Sequence, residues 1–150
     1  MSVETIDRSR IADRLDIIEL TAKYSYYVDS FDLGNLMTLW VDDDPVFDEE
    51  PVGLQRSQGL DIVRDYYRHQ VFAKMDSMAH VTANHFITEL TDTHARGICT
   101  VLVEGDVKGA GLVHVMATYI DEYERVGDSW KFRSRQVRPL AKPQLGGYHP

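Results

Sequence analysis

At 150 residues the chain has the length of one ordinary domain, expected to span 1–150 with 141–150 as a tail or lid, and it is long enough to bury a core. Its composition, 43% hydrophobic and 27% charged, excludes a disordered or fibrous chain. A formal charge of −8 repels phosphate backbones, and the one basic cluster, Lys131, Arg133, Arg135 and Arg138, lacks an aromatic stacking platform, so no nucleic-acid partner is expected.

No apolar run approaches the roughly 20 residues that span a bilayer, and Met1 to Arg10 is polar rather than a basic segment leading into an apolar one, so a cytoplasmic protein without a membrane partner is expected. Cys99 is the single cysteine, which rules out an intramolecular disulfide and fits a reducing compartment.

From Ser9 to about Val28 there is neither proline nor glycine, and Ile11, Leu15, Ile18, Ala22 and Ser25 recur at steps of three and four, which predicts a long helix with that face turned to the core. A short second helix follows through Leu33, Leu36, Met37 and Trp40, with Asp32 as its N-cap. Pro45 ends it, Val46 to Pro51 reads as a short strand, and helical spacing resumes from Gly59 to about Ala73. Four β-rich runs come next: Val81 to Leu90, Ala95 to Val107, Leu112 to Val126 and Trp130 to Leu140. Turn residues separate them at Thr91-Asp92, Lys108 to Gly111 and Gly127-Asp128. Helices first and strands after predict an α+β fold in which a curved, largely antiparallel sheet folds around the long helix.

One more step of four along the expected helix face lands on Asp29, a carboxylate at the end of an apolar stripe that narrows to Ala22 and Ser25 and so leaves room for a pocket. A carboxylate there needs a polar partner; helix termination or capping is the alternative role, for which Asp32 is better placed. His80 opens the first long strand, where a carboxylate could orient it as a general base. Strict alternation puts His85 on the opposite face from His80, and puts Arg133 and Arg135 on a common face. An arginine from this last strand could stabilise developing negative charge. His80, His85 and His114 lack any short ligand spacing, and no phosphate loop or nucleophile elbow occurs, so neither metal nor cofactor is expected.

Tyr27-Val28-Asp29, Leu39 to Asp43, His80 with Asn84, and Tyr119 to Arg125 leading to Trp130-Lys131-Phe132 resemble the SnoaL-like branch of the nuclear transport factor 2-like superfamily. The resemblance runs from Ile11 to about Leu140 and is strongest to the hexachlorocyclohexane dehydrochlorinases and scytalone dehydratases. It implies a cone-shaped α+β barrel and a catalytic set of Asp29, His80 and Arg135: carboxylate, proton-abstracting base and leaving-group stabiliser. Tyr24, Ser25, Tyr27, Trp40, Asn84 and His114 are the expected substrate contacts. Tyr24 stands where the dehydrochlorinases have a lysine, so substrate identity does not carry over. The expected activity is that of a cofactor-independent lyase or isomerase, by dehydration or β-elimination on a small apolar, aromatic or polyketide-like molecule. Alternatives are a non-catalytic ligand-binding or subunit-partner domain, or a polyketide-type aldol cyclase. Association into a homo-oligomer, dimer or trimer, is expected through one face of the sheet, since Val113, Val115, Ala117 and Tyr119 alternate with Met116 and Ile120.

Overall fold

A computed structural model describes residues 10–146; Ser9, the first residue of the expected first helix, and the last four of the tail lie outside the described residues. Helix α1 (Ile11–Asp29) leads into α2 (Leu33–Thr38), then β1 (Val46–Asp48), a 3₁₀ turn (Glu50–Val52) and β2 (Arg56–Gln58). Helix α3 (Leu60–Asp65) runs into a π-helical turn (Tyr66–Phe72), followed by β3 (Met75–Leu90), β4 (His94–Val107), β5 (Leu112–Val126) and β6 (Ser129–Pro139). The single six-stranded sheet has the order β2-β1-β6-β5-β4-β3. Every neighbouring pair is antiparallel except β1 with β6. The chain is thus α+β, with an open, curved sheet whose edges, β2 and β3, do not close on each other, and α1 packs against β3 and β6. No described helix is long and apolar enough to cross a membrane.

The face that α1 buries differs from the expected one. Ile11, Leu15 and Ile18 are exposed, by 41 to 60%, whereas Ile17, Leu20, Thr21, Tyr24, Ser25 and Val28 are buried. Both sets satisfy helical spacing, and the deciding difference is bulk. Tyr24 packs edge-on against Trp40, Tyr67, Tyr119 and Phe132, an aromatic cluster that the smaller side chains of the other stripe could not fill. Asp32 caps α2 as expected, accepting from Asn35 N at 3.1 Å.

Of the four register shifts in the sheet, two change the face on which candidate site residues lie. In β3 the register slips between Ala83 and Phe86, where Asn84 takes the left-handed conformation at φ 53°. His85 therefore returns to the inner face, and its Nε2 lies 3.2 Å from the hydroxyl of Tyr123, a fully buried side chain. In β6 a second slip, opposite Glu122 and Tyr123, turns Arg133 outward to Glu124 while Phe132 and Arg135 both point inward and are fully buried. Both alternation-based expectations are corrected for the same reason: an extra residue reverses parity along a strand. Strand β2 was not expected at all, since Arg-Ser-Gln is too short and polar to carry a periodic signal.

Candidate active site

Asp29 is the last residue of α1, close to the negative end of the helix dipole, and the last turn carries no basic residue. A carboxylate there requires donors, and one residue provides both. Asp29 Oδ2 accepts the backbone N–H of His80 at 2.9 Å, and Asp29 Oδ1 lies 2.6 Å from His80 Nδ1. The carboxylate fixes the Nδ1–H tautomer, which leaves Nε2 as the basic ring nitrogen. The His80 side chain is only 8% exposed, and that of Asp29 is 27% exposed.

His80 lines a cavity of about 90 Å³ between α1, the π-helical turn and the inner face of the sheet. Val28, Met75, Met78, Val103, Val115 and Leu145 form its apolar wall. Leu145 arrives there because Gln144 pairs with His114, accepting at 2.7 Å and donating at 2.9 Å, which draws the chain after β6 along the free part of β5. Its polar groups are His80, Glu49, Tyr24, Tyr66, Tyr67 and Tyr119. The Tyr24 and Tyr67 hydroxyls are 2.5 Å apart, and the Tyr66 hydroxyl donates to Glu49 Oε2. Burial pushes the Tyr24 phenol up to about 12 and those of Tyr67 and Tyr119 well above their ordinary range, so all three are neutral donors at physiological pH. Burial likewise raises the Glu49 carboxyl to about 7, with the hydrogen bond from Tyr66 working against the rise and the charge of Asp48 adding to it.

Arg135 is wholly buried and does not line the cavity. Its Nε and Nη2 donate to the two oxygens of the equally buried Asp121 at 2.8 and 2.7 Å. The guanidinium lies 4.2 Å from the ring centre of Tyr24 and 3.9 Å from that of Tyr119, behind two side chains that do face the cavity. Its Nη1 has no hydrogen-bond partner among the described residues.

Of the six expected substrate contacts, Tyr24 alone lines this cavity. Ser25 and Trp40 are buried in the core nearby. Tyr27 is half-buried beside Tyr26, and Asn84 is exposed at the bulge. His114 faces the outer side of the sheet, 3.1 Å from Glu104. Glu49, Tyr66 and Tyr67 are not among the expected site residues, although helical spacing through Leu60, Val63, Tyr67 and Val71 puts Tyr67 on a core face, where it is buried. Alternation within the expected strand from Val46 puts Glu49 on the face of the buried Phe47, a signal masked by the run of acidic residues around it. Tyr66 and Tyr67 sit on the π-helical turn, whose widened ladder brings consecutive tyrosines to one cavity, and α-helical spacing does not anticipate Tyr66 beside Tyr67 there. Among the described residues no three His, Cys, Asp or Glu side chains are grouped to hold a metal ion.

The SnoaL-like domain matches residues 9–136, most of the chain and all of the cavity lining apart from Val137 and Leu145. The chain belongs to the SnoaL-like domain family. Within that family it is 27% identical over 144 residues to gamma-hexachlorocyclohexane dehydrochlorinase of Sphingobium indicum, covering 95% of this chain and 90% of that one. The solved structure of hexachlorocyclohexane dehydrochlorinase LinA-type3 from Novosphingobium barchaimii superposes with a TM-score of 0.78 at 26% identity, covering 94% of this chain and 96% of the other. A Novosphingobium aromaticivorans protein provisionally named an aromatic ring hydroxylase gives a TM-score of 0.85 at 28% identity, covering 89% and 93%. SnoaL-like relatives thus include a lyase of the dehydrochlorinase type.

Proposed function

We propose that this SnoaL-like protein is a cofactor-independent lyase or isomerase in which His80, oriented by Asp29, removes a proton from carbon in a small apolar substrate. The double hold of Asp29 on His80, through Nδ1 and through the backbone N–H, is the observation that carries this reading. It fixes the tautomer, resists rotation of the ring, and stabilises the imidazolium that proton abstraction creates. The similarity to a dehydrochlorinase supports elimination as the reaction type. The negative charge that develops as the proton leaves is met by the paired hydroxyls of Tyr24 and Tyr67, and Arg135 acts behind them, its cation favouring negative charge on Tyr24 and Tyr119. A cavity of about 90 Å³ with an apolar wall favours a compact substrate over an extended polyketide. The reading also takes the protein to be cytoplasmic and homo-oligomeric. Its test is turnover of small activated ketones that carry a leaving group, by the wild type and by His80→Ala.

A further inference from the structure

Glu49 stands apart from the dyad and from Arg135. Its backbone is fixed, with N–H donating to Gln55 O at 2.9 Å and its carbonyl accepting from Leu54 N and Val52 N at 3.1 Å each. Its side chain lines the cavity that His80 lines. Oε2 accepts from the Tyr66 hydroxyl. Apart from His80 the cavity wall is aliphatic, sulfur-bearing or aromatic, an environment that stabilises the neutral form of a carboxyl. Among the described residues that line the cavity with Glu49 there is no Lys or Arg: the polar ones are Tyr66 and Tyr67 from the π-helical turn, Tyr24 from α1, Tyr119 from β5 and His80 from β3, with Asp48 beside Glu49 in the chain. Arg56, opposite Asp48 on β2, is solvent-exposed, and Arg135 is paired with Asp121 and does not line the cavity.

We propose that Glu49 is the acid that complements the base His80: a carboxylic acid that protonates an oxygen leaving group, so that the substrate is an alcohol of a small apolar molecule rather than a halide. A halide departs as an anion without a proton, whereas hydroxide is a poor leaving group until it is protonated. The reading of His80 as base is assumed. In the step, His80 Nε2 takes the proton from carbon, the C–H electron pair becomes the new C=C bond, and the C–O bond breaks with its pair on oxygen. That oxygen takes the Glu49 proton and leaves as water. Imidazolium and carboxylate remain, and return of the proton from His80 to Glu49 through solvent restores both.

Two measurements test this. Carbon-13 NMR of protein labelled at the glutamate side-chain carboxyls is expected to show one that titrates near 7 and is absent in Glu49→Gln. Titration of every glutamate in the ordinary carboxylate range would overturn the proposal without touching the dyad. The second compares a β-hydroxycyclohexanone with its β-chloro analogue, followed by formation of cyclohexenone. Glu49→Gln is expected to slow the hydroxy ketone by at least about a hundredfold and the chloro ketone by less than about threefold. Equal slowing of both, or of neither, overturns the acid role, and so does a wild type inert toward the hydroxy ketone. His80→Ala separates the two readings, because it is expected to slow both compounds. If it slows neither, the base reading fails, while the unequal response of Glu49→Gln still identifies the acid.

Discussion

Asp29 gives both of its carboxylate oxygens to His80, one to the ring nitrogen at 2.6 Å and one to the backbone N–H at 2.9 Å. Asn in its place keeps an acceptor of the same size and loses the charge that sets the tautomer. Asp29→Asn is therefore expected to lower turnover by at least about a hundredfold while ligand affinity changes by less than about tenfold, read from separate kcat and binding measurements.

Glu49 gives the pH dependence a sign. Its pKa is raised on folding, to about 7, so the acid form is present below that value and is lost as the pH rises through it. The rate on a substrate losing hydroxide should fall above about pH 7, and Glu49→Gln should remove that limb of the profile. The same shift bears on stability. The folded protein loses stability relative to the unfolded chain between the ordinary glutamate range and about pH 7, so Glu49→Gln should gain on the wild type by roughly 1–3 kcal/mol as the pH rises across that window, measured by urea unfolding.

The Arg135–Asp121 pair is fully buried at both ends. Removing one partner leaves an uncompensated charge in the core, so Arg135→Met and Asp121→Asn should each cost about 3–5 kcal/mol in chemical denaturation. Activity measured below the melting point then reports what Arg135 contributes through Tyr24.

The outer face of the sheet exposes Val81, Phe86, Leu112 and Met116 by 41 to 67%. These side chains stand on the surface opposite the cavity, as the alternation in β5 anticipated for Met116. Light scattering is expected to show a dimer or trimer, and Val81→Lys or Phe86→Glu to shift it toward monomer; a wild-type monomer at micromolar concentration would contradict the assembly.

Much of the architecture could be read from turn residues and β-rich runs: β5 has the expected bounds, and β4 and β6 differ by a residue at their ends. The site was less legible. The stripe whose extension lands on Asp29 is exposed at Ile11, Leu15, Ile18 and Ala22 and buried only at Ser25, and Asp29 meets His80 because the buried stripe through Tyr24 and Val28 ends one residue before it. His85 and Arg133 were misplaced by bulges, which periodicity does not register. Glu49 was hidden because an acidic side chain among acidic neighbours looks solvated until the fold encloses it with Tyr66 and Tyr67. The resemblance supplied Arg135 as a leaving-group stabiliser, yet its bidentate bond to Asp121 and its place behind Tyr24 are tertiary facts without a local signature.

The most direct test of the central claim is the rate of proton removal by a folded His80→Ala protein on a substrate that the wild type turns over. A fall of at least about a hundredfold, with substrate still bound within about tenfold of wild-type affinity, is the expected result. Full activity in that variant would contradict the account and leave Asp29 to act as the base alone.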